Sequence, residues 1–364
     1  MPLIVVALAV AFGFAQDRTV HGQADAAVAK PALPNPYRLD PDWPTLPASM
    51  KGPNGRKWGE VIRVHVAPGG NIWVFHRCFN DQPNGDATCV NRGDANPPIL
   101  EFDPSGKLLR SFGAGLFAHP HGFTVDRDGN IWTTDTNDEP ASPNTGQTVL
   151  KLSPAGRILM TIGTPGVAGT GPTTFDRPTG VAIAPNGDIF VSDGHSGNKS
   201  GSGRILKYAP DGRFIKTWGR MGTEPGQFRD PHDLYVGGSK GYVYVADRQN
   251  NRVQVFDQEG NFIVAWKQFG QPSSVFVDTR DTIYVGSTYQ DPSRRESPAG
   301  PNNRAIVVGD AITGELRYLI PDPGDLSKMT DTGTSASGIA VDAAGNIYAA
   351  DVGFNNLRKY LRVQ

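Results

Sequence analysis

The chain has 364 residues, with 35 Lys and Arg against 36 Asp and Glu. Charges that nearly cancel give no long-range field toward nucleic acid or an anionic membrane, and both are set aside as partners. Glycine (44) and proline (30) are frequent, which suits many tight turns and argues against long helices.

The chain opens on MPLIVVALAVAFGFAQ, an apolar run followed by small residues, with no Lys or Arg before it. It reads as a signal peptide over 1–15, cut after Ala15 and too short for a stable bilayer anchor. A periplasmic or secreted protein is the expectation, with no membrane contact beyond that signal. Residues 16–57 are rich in Ala and Pro (KPALPNPYRLDPDWPTLP) and read as an extended leader. His21 in this leader is given no role. Cys78 and Cys89 share one Asn/Gly/Asp-rich loop, and in an exported protein the simplest reading is a disulfide clipping that loop.

From residue 58 to the end one phrase recurs. It stands as VHVAPGGNIWVFHR (64–77), FTVDRDGNIWTTD (123–135), VAIAPNGDIFVSD (181–193), LYVGGSKGYVYVAD (234–247), VFVDTRDTIYVGS (275–287) and IAVDAAGNIYAAD (339–351). Each copy is an alternating strand, a turn and a second alternating strand, and RILKYAPDGRFIKTWG shows a third and fourth. Copies of four antiparallel strands without helical periodicity predict an all-β, six-bladed β-propeller over 58–364. The last copy ends at LRKYLRVQ, after its third strand, so the leader near Tyr37–Leu46 is expected to supply the fourth and close the ring.

In a propeller the first strand of each blade lines the channel, and the loop after the second strand returns to the face where the first began. Residues at those two places gather at one channel mouth. The first set is Ile62, His121, Thr179, His232, Ser273 and Ser337. The second includes Arg77, Asp135, Asp193, His195, Asp247, Arg248 and Asp351. His121 and His232 fall in blades two and four, roughly 120° apart on a six-fold ring, where two imidazoles can share a metal ion. The recurring aspartates that end strand two are expected to cap loop amides. His65 is a channel or core residue by alternation, and His119 is a weaker ligand candidate beside His121.

These units resemble NHL repeats, and the span from about 58 to 361 resembles the propeller of peptidyl-α-hydroxyglycine α-amidating lyase. The phrases that carry the likeness are VFHR (74–77), LFAHPHGFTVD (116–126), RPTGVAIAPNGDIFVSDG (177–194) and GQFRDPHDLYV (226–236). The resemblance implies a catalytic zinc held by three histidines and cleavage of a hemiaminal C–N bond to an amidated peptide and glyoxylate. It implies His121 and His232 as two zinc ligands, and Arg77 facing the carboxylate of a small or peptide-like substrate, with Arg248 a further substrate-binding candidate. Three positions depart from the pattern. Ser337 stands where the family has its third histidine, and Gly338 where an acidic residue holds a calcium, which weakens the case for calcium. His195 stands where the family has a tyrosine proposed for proton transfer. His195 is therefore either the third zinc ligand or a general base. Two other readings stay open: a non-catalytic NHL propeller binding peptide, glycan or protein, and a calcium-dependent lactonase using Glu60 and Asp233.

Overall fold

The repeated phrase alternates apolar and polar residues and then turns tightly. In the second copy Gly129 takes a φ of 80°, and Asp126 Oδ1 accepts the amides of Asp128 and Asn130 at 3.0 and 2.8 Å. That local closure folds each pair of runs into a hairpin. A computed structural model describes residues 33–46, 58–77, 89, 97–136, 144–195, 201–288, 304–324 and 336–363. The expected signal peptide, His21 and Cys78, and with Cys78 the expected clip to the buried Cys89, lie outside these residues.

The strands form six separate four-stranded antiparallel sheets, the blades of a propeller. Blade one is Val61–Val66, Ile72–His76, Ile99–Phe102 and Leu108–Phe112. The first strands of blades two to six are Pro120–Val125, Pro178–Ile183, Pro231–Gly237, Pro272–Val277 and Gly338–Val341. Among the described residues the helical content is a single 3-10 turn, Arg248–Asn250. Tyr37–Asp40 pairs antiparallel with Asn356–Arg362, with Tyr37 opposite Arg362, so blade six combines strands from both ends of the chain. Trp43 follows this strand and packs its ring 4.9 Å from Tyr348 of blade six and 6.1 Å from Phe102 of blade one. The ring is thereby latched by pairing and by packing at one seam.

The core lies within and between blades. Ile72, Ile131, Ile189, Val243, Ile283 and Ile347, at one position of the second strand, have no exposed surface. The next residue is aromatic every time, and Trp73, Trp132, Phe190, Tyr244, Tyr284 and Tyr348 are all buried. Burying such a side chain contributes about 1.5–3 kcal/mol, and the same contribution is made in every blade. The first strands then stand around the axis. Pro178–Ile183 touches its counterparts in blades two and four, and Val61–Val66 touches those in blades two and six.

Candidate metal centre

In blades one to five the pairing of the first two strands skips at one place. The breaks fall between Val61 and Arg63, Pro120 and Phe123, Pro178 and Gly180, Pro231 and Asp233, and Pro272 and Ser274. A bulge re-aims a side chain off the alternating pattern. The residues inside these breaks are Ile62, His121 with Gly122, Thr179, His232 and Ser273. Aspartates at the end of the second strand hold the entering loops, in the amide-capping role expected of them. Asp135 accepts from the amides of Ala118 and His119 at 2.7 and 2.6 Å, Asp193 from Asp176 at 2.8 Å and Asp247 from Arg229 at 2.8 Å.

His121, His195 and His232 come together. Each offers a ring nitrogen, and these nitrogens all lie within 4.8 Å of one another. Ring centroids are 4.7 Å apart for His121 and His232, 4.9 Å for His121 and His195, and 5.3 Å for His195 and His232. The Nδ1–H of His121 donates to the Thr179 carbonyl at 2.7 Å, and that of His232 to the Ser273 carbonyl at 2.7 Å. A carbonyl only accepts, so in each neutral ring the proton sits on Nδ1 and the lone pair on Nε2. The Nε2 of His121 and the Nδ1 of His195 are buried with no hydrogen-bond partner. A buried nitrogen without a bond costs about 1–3 kcal/mol, which marks the cluster as built for something that completes it.

Protonation is disfavoured at all three rings. His121 is held well below the usual imidazole range by burial, then by the charges of His232, His195, Arg63 and Arg77. His232 is likewise held well below it by burial, then by Arg248, His195 and Arg63. His195 is pushed down to about 3, by burial first; Asp230 opposes the shift and Arg248, Arg77 and Arg177 add to it. Neutral imidazole is the form that binds metal. Three such donors match a catalytic zinc site with a fourth position open, so the residues present fit the ion.

His195 gets there through its loop. Gly194 takes a φ of 127°, and the amides of Gly194 and His195 both donate to the Arg177 carbonyl at 3.2 Å. Arg77 donates through Nη1 to Glu60 Oε2 at 2.6 Å and through Nε to the Pro120 carbonyl at 3.3 Å, next to His121. Arg248 Nε donates to Asp230 Oδ2 at 2.7 Å, two residues before His232. His119 is half-buried and feels Arg77, His195 and Arg177, but it lies outside the nitrogen cluster. Ser337 is fully buried. The two carboxylates considered for a lactonase site are both in ion pairs, Glu60 with Arg77 at 2.6 Å and Asp233 with Arg63 at 3.4 Å. His65 faces the channel, with Thr124 Oγ1 3.4 Å from its Nδ1.

Arg63 is the residue that sequence reasoning passed over. It is 3% exposed and lies in the channel beneath the histidines, donating to main-chain carbonyls of three blades. The signal was its column: where blade one has Arg63, the other first strands have Gly122, Gly180, Asp233, Ser274 and Gly338. Beyond Arg63 and Asp233 the channel widens into a cavity of about 590 Å³ lined by His65, Thr124, Tyr235 and Phe276 among others. None of the three clustered histidines lines it.

Comparison with known proteins agrees with this architecture. The NHL repeat family matches residues 117–138, 175–208 and 228–256. Peptidyl-glycine alpha-amidating monooxygenase A of Xenopus laevis is 36% identical over 250 residues, 64% of this chain, and the chain spans 24% of that protein's length. Peptidyl-alpha-hydroxyglycine alpha-amidating lyase 1 of Drosophila melanogaster is 32% identical over 359 residues, covering 90% of this chain and 60% of that one. The structure of a gluconolactonase from Xanthomonas campestris superposes with a TM-score of 0.55 at 14% identity, covering 92% of this chain and 99% of that one, a likeness of fold alone. NHL repeat-containing protein 3 of Homo sapiens is 30% identical over 336 residues, 89% of this chain and 84% of that protein. The chain belongs to the NHL-repeat family, as a six-bladed propeller that resembles the amidating lyase.

Proposed function

We propose that this protein is an exported, zinc-dependent lyase of the amidating-lyase kind, cleaving a hemiaminal-like C–N bond in a small carboxylate-bearing or peptide-like substrate at the histidine mouth. The observation that carries the reading is the convergence of His121, His195 and His232 with their nitrogens within 4.8 Å of one another. His121, His232 and His195 would hold the ion, His195 taking the place that Ser337 leaves without imidazole. When bound, zinc supplies a Lewis acid that polarises a substrate oxygen.

The chain's own groups do the positioning. Arg77 and Arg248 are partly exposed guanidinium groups at this mouth, and a guanidinium fork matches a carboxylate in two parallel bonds. Glu60 and Asp230 set their orientation before substrate arrives, through bonds of 2.6 and 2.7 Å. Thr179 and Ser273 carbonyls fix the tautomers of His121 and His232, so the open nitrogens keep one direction. With His195 committed to the ion, the proton has to move through solvent or a substrate group.

The test is metal analysis followed by turnover. Purified protein should contain one zinc per chain and release glyoxylate from a peptide ending in α-hydroxyglycine, and His121→Ala should lose both. Protein that folds, takes up no zinc and releases no glyoxylate would sink the reading. A second reading, a non-catalytic propeller binding peptide, glycan or protein on the same face, is favoured by the human relative, which matches over most of its length and is named for its repeats alone. That reading requires His121→Ala to leave ligand binding nearly unchanged.

A further inference from the structure

We propose that Arg63 is a positioning residue of the histidine centre. Its guanidinium takes, for blades six and one, the main-chain acceptors that imidazole takes elsewhere on the ring, and so fixes the strand carrying His232. This inference rests on the zinc reading above.

Three of the bulged positions are stitched to the next blade by side chain to main chain. His121 of blade two donates to the Thr179 carbonyl of blade three, and His232 of blade four to the Ser273 carbonyl of blade five, each at 2.7 Å. Thr179 of blade three donates through Oγ1 to the Pro231 carbonyl of blade four. Blade six has Ser337 at this position and blade one has Ile62, and neither side chain carries a donor as far from the main chain as imidazole does.

Arg63 bridges there instead. Its Nη1 donates to the Ile62 carbonyl at 3.0 Å and to the Ser337 carbonyl. Its Nη2 donates to the His232 carbonyl at 2.9 Å and lies 3.4 Å from Asp233 Oδ1. One planar cation thus ties blades one, four and six across the channel. Bonds from a charged donor are roughly twice as strong as neutral ones, and a buried charge is tolerated only when so surrounded.

The waist of the channel is shaped for this group. A Cβ added at Gly338 would lie 2.7 Å from Arg63 Cα, and one at Gly180 would lie 3.1 Å from Asp233 Oδ1. His232 is consequently held at both ends, its ring by Ser273 and its carbonyl by Arg63. Without the guanidinium, the main chain that aims the ring would have to find other donors or move.

The experiment uses the full chain, stripped of metal and titrated with zinc against a chelating dye, then with cobalt to read the ligand field by visible absorption. Arg63→Met should weaken zinc by about 10–100-fold, the range for losing an outer partner of a metal ligand, and should alter the cobalt spectrum. Arg63→Lys keeps the charge but not the fork, and should fall between that variant and wild type in both readouts. If Arg63→Met does not fold, Arg63→Lys carries the test alone. Wild-type affinity and an unchanged cobalt spectrum in either folded variant would overturn the proposal. Wild-type protein that binds neither zinc nor cobalt would overturn the zinc reading itself, and that result is read before any variant is made.

Discussion

Blade two and blade six are built alike and used differently. Both bury an isoleucine completely at the start of the second strand, Ile131 and Ile347, and both follow it with a buried aromatic, Trp132 and Tyr348. Both end that strand on an aspartate that accepts a loop amide, Asp135 from Ala118 and His119, Asp351 from Phe354. Yet the residue at the channel is His121 in one and Ser337 in the other. The frame of a blade is carried by its buried strand and its turns, while the channel position is free to hold whatever the site requires.

The sharpest way to break that comparison is to equalise the two channel positions. His121→Ala should reduce zinc affinity on the order of a thousandfold or more, about 4 kcal/mol, because a direct ligand is lost rather than an outer partner. Ser337→Ala should change it less than about tenfold. Dye-competition titration of both variants measures the contrast, and equal losses would mean that the trio is not the ligand set.

The frames should respond together. Ile131→Ala and Ile347→Ala each remove a fully buried aliphatic chain, and each should cost about 2–5 kcal/mol of unfolding free energy. Urea denaturation gives both values. A loss in blade six far below that in blade two would show that the closing strand Tyr37–Asp40 leaves the last blade loosely joined.

What the sequence made legible follows the same division. Six copies of one phrase, aligned at Ile72, Ile131, Ile189, Val243, Ile283 and Ile347, state the blade because burial imposes the same pattern on each copy. The histidines at 121 and 232 stood out because ring closure turns nearly equal offsets, ten residues before Ile131 and eleven before Val243, into places at one channel mouth. The convergence of His195 on them was harder to see. It depends on Gly194 at a φ of 127° and on two amides meeting the Arg177 carbonyl, and loop geometry of that kind leaves no periodic trace. Arg63 was hidden for another reason: alternation in VIRVHV puts it on the channel strand with His65, but the carbonyls of Ser337 and His232 that it meets belong to blades six and four and come together only in the closed ring.

Ser337→His asks whether blade six can be given the missing imidazole. Ser337 has no exposed surface, and its carbonyl is an acceptor for Arg63. A larger ring in that fully buried place must displace its packing, so the variant should lose about 1–3 kcal/mol of stability, the usual cost of overpacking, with zinc still at one per chain. Thermal unfolding of the metal-free protein and metal analysis of the loaded protein check the two halves. A variant as stable as wild type would show that the waist has more room than its contacts imply.

A lone histidine gives the mildest contrast with the clustered three. His65 lies in the same channel, on the blade-one strand that also holds Arg63, and burial alone pushes it down to about 4. In the unfolded chain the same ring titrates near 6.5, so between about pH 6.5 and 4 the unfolded state holds more protons. The contribution of neutral His65 to stability is therefore complete above about 6.5 and is lost as pH falls toward 4. The clustered rings have shifts of the same sign, but bound zinc would keep their nitrogens from protons until acid released the ion. Urea midpoints of zinc-loaded wild type and His65→Gln at pH 7.5, 6 and 5 isolate the lone ring. The wild type should lose stability more steeply over that range, and parallel curves would mean that His65 is hydrated in the channel and titrates as it does in the unfolded chain.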